Sequence, residues 1–294
     1  MDDAAPDDGG LMLRLRAVLE TAAAAARAMR PTRADRKAHQ DYVTDVDIAV
    51  DRHLQAALAP LVPGAPVLSE ERAVGTLEHC DRYWIVDPID GTANLIAGLP
   101  FVGIAVALVD GAGPRLAGVA SLGEGRVWLA RRGGGAFAAV PGGPLLPLVL
   151  PAAPPELLVL STGILDALMA DGAARWTALR AVGKIRNLGA QSLHLCAVAE
   201  GRLAAVASVE ARVWDEAAGG LILREAGGIW RSAADGVDWH HPAAVMAIRQ
   251  QRSLASHPGV APAMIAALAG ILADPTADPT ADPLAADISK AITT

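Results

Sequence analysis

The sequence predicts a mixed fold. Helices lie on an antiparallel sheet in the first half, and strands alternate with helices in the α/β manner in the second. Three observations predict it. Arg14, Arg16, Glu20, Arg27 and Arg30 flank the alanine run Ala22 to Ala26, so Leu11 to Met29 reads as an amphipathic helix. From Phe101, the segments FVGIAVALVDG, RLAGVASLGEGRVWLARRGGGAF and PLLPLVLP read as antiparallel strands joined at glycines. From Leu157 onward, short apolar runs alternate with helical patterns.

The 294 residues suffice for one large domain or two modest ones sharing a core, and 52% hydrophobic against 19% charged residues marks a globular chain. Its net charge of -7 argues against a nucleic-acid partner. Only Cys80 and Cys196 occur, so no disulfide framework is expected and a reducing cytoplasm is the expected location. MDDAAPDDGG is acidic where a secretory leader would be basic, and no charge-free apolar run is long enough for a bilayer, so no membrane partner is expected.

After the first helix, Thr32 to Asp41 is rich in Arg, Lys and His and reads as a surface loop or flap. Tyr42 to Asp47 then leads into a helix. Asp47 sits at the N-cap place, with two readings: a cap, or a carboxylate that polarises a hydroxyl or water. His53 falls on the solvent face of that helix. Val67-Leu68 is a short strand ending at Ser69-Glu70-Glu71; adjacent glutamates point apart, and Glu70 is the favoured ligand.

WIVDPIDGTANLIAGLP, Trp84 to Pro100, carries the chemistry. A buried strand stops at Asp87 and Asp90 in a Pro/Gly turn, which aims both carboxylates into one small volume. Carboxylates that close repel unless something positive lies between them, and Mg²⁺ takes such oxygen ligands together with phosphate oxygens. A helix opening at Thr92-Ala93-Asn94 would offer free N–H groups to a phosphate. An Asp-rich surface turn is the plain alternative.

Val140 to Pro155, with six prolines and two glycines, reads as the crossover to the second half. The expected domains are 1–150, holding the antiparallel sheet and most of the ligands, and 151–270, the α/β half. Residues 271–294 form a low-complexity Ala-Asp-Pro-Thr tail expected to be disordered. In the second half, Leu157 to Leu160 is a strand, helices fall near Ile164 to Ala170 and Arg175 to Val182, and Lys184 to Gly189 is a strand. A helix runs from Leu193 to Gly201, with His194 on its face or in the core, and Leu203 to Val209 is a strand. Asp215 opens a further helix that ends at Gly227-Gly228, and by itself reads as its N-cap.

VTDVD (Val43 to Asp47), SEE (Ser69 to Glu71), DPIDGTANLIAGLP (Asp87 to Pro100) and WDEAAGGLILREAGG (Trp214 to Gly228) resemble, in order and spacing, the inositol monophosphatase family of lithium-sensitive, Mg²⁺-dependent phosphatases. The resemblance runs from about Leu11 to about Ala269. It implies a five-layered αβαβα sandwich and a homodimer. It implies two or three Mg²⁺ ions per site, held by Glu70, Asp87, Asp90, Asp215 and the carbonyl of Ile89. Thr92 and Asp47 match the pair that orients a water, giving Glu70, Thr92 and Asp47 the catalytic roles. Gly91 and Thr92 match the phosphate-contacting backbone, with Asp90 and Asp215 also facing the substrate.

The implied reaction is inositol-1-monophosphatase-like hydrolysis of a small phosphorylated substrate by activated water. No covalent phosphoenzyme is expected, since no nucleophilic Cys, Ser or His lies in these motifs. Two positions depart from the inositol pattern. Ser208 stands where the family commonly has Glu, leaving Glu210 as the nearest carboxylate, and Gln191 stands where small residues are usual. Both border the alcohol half of the substrate. A sugar phosphate, histidinol phosphate or 3′-phosphoadenosine 5′-phosphate is therefore an alternative. A non-catalytic metal-binding regulatory protein on the same fold is the remoter one, against which the intact Asp47, Glu70, Asp90, Thr92 and Asp215 argue.

Overall fold

The computed structural model describes residues 8–38, 41–72, 79–171, 173–232, 235, 237–248 and 251–272. The tail from 273 lies outside them. In chain order the first half runs α1 (Asp8–Ala28), β1 (Ala34–Ala38), β2 (Asp41–Thr44), α2 (Asp45–Leu58), β3 (Val67–Ser69), β4 (Arg82–Asp90), α3 (Thr92–Ala97), β5 (Gly103–Asp110), β6 (Gly113–Ser121), β7 (Val127–Arg131), β8 (Gly135–Ala139) and β9 (Leu146–Leu148). It continues with β10 (Leu157–Leu160), α4 (Thr162–Asp171), α5 (Ala173–Val182), β11 (Lys184–Arg186), α6 (Gln191–Ala199), β12 (Ala205–Ala211), α7 (Val213–Glu225), β13 (Ile229–Ser232), α8 (Pro242–Met246), β14 (Gln251–Ser256) and α9 (Ala261–Leu268).

Strands β3 to β9 form one seven-stranded sheet in sequence order, antiparallel except where β3 runs parallel to β4. The second sheet has the order β11-β10-β12-β14-β13, parallel around β10 and antiparallel around β14. The segment expected as a loop before α2 contains β1, an exposed strand paired with β2. Its polar residues suit a two-stranded ribbon with no core beneath it.

Side-chain alternation builds the layers. Along β4, Trp84 and Val86 face the core made with α1 and α2, whereas Tyr83 and Ile85 face α6 and α7. A strand buried on both faces reads as a continuous apolar run, as β4 does. Helices α6 and α7 fill the space between the sheets, packing also on Val159, Val206 and Ala255 of the second one. Helices α4, α5 and α9 cover that sheet's outer face with Leu168, Leu179, Met264 and Leu268. The sequence of layers is therefore αβαβα.

Glycines permit the closest approaches. A Cβ on Gly118 of β6 would lie 2.3 Å from Leu19 Cδ1 of α1. A Cβ on Gly219 of α7 would lie 2.8 Å from Leu195 Cβ and 3.1 Å from the Ser192 carbonyl of α6.

Candidate active site

Strand β4 and its bulge place the first carboxylates. Asp87 pairs with Ala105 and Asp90 with Gly103, so three residue steps on β4 oppose two on β5. A bulge of this kind bends the strand and re-aims its side chains. Asp87 and Asp90 are 1% and 6% exposed. Gly91 follows with φ 93°, the left-handed region that glycine reaches without strain, and starts α3 at Thr92.

Asp90 is held from another element. The N–H of Gln191 donates to its Oδ1 at 3.0 Å, and the N–H and hydroxyl of Ser192 donate to its Oδ2 at 2.6 and 2.5 Å. These are first-turn groups of α6, which lack partners within their own helix. Gly103 allows this approach, because a Cβ there would lie 3.2 Å from Ser192 Oγ. The helix begins two residues earlier than the apolar pattern predicts, because Asp90 takes up the first N–H groups.

Asp47 lies at the third helical position of α2, and the cap itself is Thr44. The sequence puts Asp47 at the cap place, but Thr44 has the extended backbone that a cap needs, and its N–H donates to Asp47 Oδ2 at 2.9 Å in a capping box. The other oxygen, Oδ1, lies 2.8 Å from the Thr92 hydroxyl. That hydroxyl is also 3.1 Å from the Ile89 carbonyl. Asp215 is likewise third in its helix, with the Arg212 N–H donating to Oδ2 at 2.7 Å.

Glu70 continues β3 beside β4, its N–H bonded to the Val86 carbonyl at 3.2 Å. The Lys37 ammonium of β1 lies 3.0 Å from Glu70 Oε1 and 2.6 Å from Glu71 Oε1. A cleft of about 500 Å³ opens here, lined by Lys37, Glu70, Arg72, Arg212, Trp214 and Met246 among others.

Burial and mutual repulsion dominate the electrostatics. Burial, then Glu70 and Asp90, holds Asp87 well above the usual carboxylate range. Burial, then Asp90 and Glu70, does the same to Asp215. Burial pushes Asp90 up to about 6 against its donors on α6, and Glu71 up to about 7 against Lys37. Among the described residues, no three His, Cys, Asp or Glu side chains form a ready-made metal group. Each carboxylate accepts from a protein donor instead. The residues nonetheless fit a hard cation: the donors are all oxygen, and Asp90 and Asp215 raise the pKa of buried Asp87, as Asp90 does that of Asp215.

The two positions that depart from the inositol pattern are engaged inside the protein. Ser208 is 2% exposed, and its hydroxyl accepts the N–H groups of Glu210 and Ala211 at 3.2 and 3.1 Å. Glu210 accepts the N–H groups of Thr162 and Gly163 at 3.0 and 3.1 Å. The Gln191 amide donates to Glu216 Oε1 at 2.8 Å. His194 is a core histidine, 3% exposed. His53, expected on the solvent face, is half-buried with its Nε2 enclosed.

Sequence reasoning missed Lys37, Ser192 and Glu216. Lys37 sits in a stretch read as loop, and nothing local marks Ser192, whose role comes from a strand 102 positions away.

A five-layered sandwich has buried carboxylates converging at the end of one strand, and the family match and relatives make its class that of a phosphoric monoester hydrolase. The chain belongs to the inositol monophosphatase family, whose model matches residues 12–272. It is 37% identical over 227 residues to a histidinol-phosphatase of Mycobacterium tuberculosis (strain ATCC 25618 / H37Rv), covering 73% of this chain and 83% of that one. It is 36% identical over 195 residues to an inositol-1-monophosphatase of Mycobacterium leprae (strain TN), covering 64% and 67%. Its fold is similar, with a TM-score of 0.66 and 24% identity, to an IMPase/NADP phosphatase solved in complex with Mg²⁺ and phosphate, over 81% of this chain and 86% of that one.

Proposed function

We propose that the chain hydrolyses phosphate monoesters of small alcohols in a Mg²⁺-dependent reaction, with Glu70, Asp87, Asp90, Asp215 and the Ile89 carbonyl as the residues that would hold the metal. The observation that carries this is the hydroxyl of Thr92, 2.8 Å from buried Asp47 and 3.1 Å from the Ile89 carbonyl, at the end of the strand that bears Asp87 and Asp90. Bound Mg²⁺ supplies neutralisation of phosphate charge and a lowered pKa for water.

The chain's own residues do the rest. By donating its proton to Asp47 Oδ1, Thr92 Oγ1 keeps its lone pairs free to accept from a water. That water is thereby oriented with its own lone pair toward phosphorus. Glu70, on the neighbouring strand, is the second acceptor for the water's protons. The Lys37 contact must loosen for it to serve. The backbone of Gly91 and Thr92, at the start of α3, contacts the phosphate. Gln191 and Ser208 would meet the alcohol only by leaving their present partners.

The second reading concerns the alcohol. Histidinol phosphate stands beside inositol 1-phosphate because the polyol-binding Glu is replaced by Ser208 while Glu210 is held at the start of α4. The similarity to a histidinol-phosphatase supports it too. Release of inorganic phosphate from both esters, a sugar phosphate and 3′-phosphoadenosine 5′-phosphate, with and without Mg²⁺, tests the proposal. Turnover of none of them with Mg²⁺ overturns it. The homodimer belongs to the same proposal, and sedimentation velocity at micromolar concentration tests it.

A further inference from the structure

Glu216 is fully buried on α7, next to Asp215, and has no place in the chemistry above. Its carboxylate accepts from the Gln191 amide of α6 at 2.8 Å, from the Trp230 indole of β13 at 3.3 Å and from the Ser253 hydroxyl of β14. All three donors are neutral. A buried carboxylate facing only neutral donors is costly. The cost calls for a role other than stability.

Gln191 supplies it. Its side chain is on Glu216 while its backbone N–H is on Asp90 Oδ1 at 3.0 Å. The next residue, Ser192, makes two further bonds to Asp90. Fixing the Gln191 side chain therefore fixes the first turn of α6, and that turn fixes both oxygens of Asp90. The anchor lies one residue from Asp215, so the same link sets the start of α6 against the helix that carries the other carboxylate. Helices α6 and α7 are at close approach here, over Gly219.

We propose that Glu216 is a positioning residue for the metal site, holding Asp90 through Gln191 and the first turn of α6. The inference rests on the reading of Asp90 as a metal ligand. The test is Mg²⁺ binding to the full chain by titration calorimetry, with thermal unfolding as the control. Glu216→Leu is expected to weaken Mg²⁺ binding about tenfold, as loss of an outer-shell partner does, and to stay folded at the titration temperature although its unfolding temperature falls, because the Gln191 amide, the Trp230 indole and the Ser253 hydroxyl lose an acceptor. Gln191→Leu is expected to do the same, and the double variant to be no weaker than either single one, because both cut one link. Glu216→Gln keeps an acceptor for Gln191 and is expected to stay within about threefold of wild type, since a neutral acceptor replaces a charged one.

Unchanged Mg²⁺ affinity in Glu216→Leu, or losses that multiply in the double variant, overturn the inference. If Glu216→Leu does not fold, unchanged affinity in Gln191→Leu overturns it. A wild-type chain that binds no Mg²⁺ overturns the metal reading itself. Normal binding in wild type and variants alike overturns only the role of Glu216.

Discussion

Replacing Asp90 by Asn removes one negative charge and turns one of two acceptor oxygens into an NH₂ donor. Gln191 and Ser192 donate to both oxygens, so one N–H of α6 would face another donor. Losing a hydrogen bond to a charged group costs about 1.5–3 kcal/mol, and relief of the crowding with Asp87 and Asp215 offsets part of it. The expected outcome is a folded variant whose Mg²⁺-dependent phosphate release falls by at least about a hundredfold. Circular dichroism and a phosphate assay on the same preparation check this. A second residue-scale expectation concerns His194. Burial lowers its pKa to about 3, so it stays neutral in the folded chain while the unfolded chain takes up a proton below about 6.5. A depressed folded pKa gives stability that is present above 6.5 and lost as pH falls toward 3. The slope reaches at most about 1.4 kcal/mol per pH unit. Urea unfolding between pH 7 and pH 5 is expected to show this loss in wild type and a correspondingly flatter profile in His194→Leu.

Helix α7 shows how an element serves the site through packing. Gly220 lies in its interior, where alanine would raise helix propensity by about 1 kcal/mol. A Cβ there would sit 2.3 Å from the ring of Trp230, itself 2% exposed and unable to swing out. Gly220→Ala is therefore expected to destabilise, by about 1–3 kcal/mol as overpacking does, and chemical denaturation checks it. At this scale the sequence was legible where periodicity decided. Strand β10 falls on the predicted residues, α4 extends its predicted helix by two residues at the start and one at the end, and α5 extends its own by two at the start. It was not legible where a distant partner sets the boundary. The start of α6 depends on Asp90, and the ribbon of β1 and β2 depends on cross-strand pairing of polar residues that carry no apolar signal.

For the whole molecule, the metal is expected to be linked to stability. Asp87, Asp90 and Asp215 are harder to ionise in the folded chain than free carboxylates, so their charges oppose folding until a cation balances them. A ligand held at a hundred times its Kd adds about 2.7 kcal/mol. Mg²⁺ is expected to raise the unfolding temperature by several degrees, chelator to reverse this and abolish phosphate release, and Ca²⁺ to bind without supporting turnover, since it prefers longer bonds and more ligands. Differential scanning calorimetry with parallel phosphate assays checks all three. Among the described residues no helix is long and apolar enough to cross a membrane. The sequence by itself determined the mixed sheets and helices, the strand that ends at Asp87 and Asp90, and the family, because apolar period and motif spacing are local properties of the chain. Only the tertiary structure decided that the first turn of α6 holds Asp90, that Lys37 pairs with Glu70 and Glu71, and that Gln191 and Ser208 are engaged inward. Those pairings join residues from 25 to 102 positions apart or depend on a bulge in the strand, and hydrogen bonds of that reach exist only once the layers have packed.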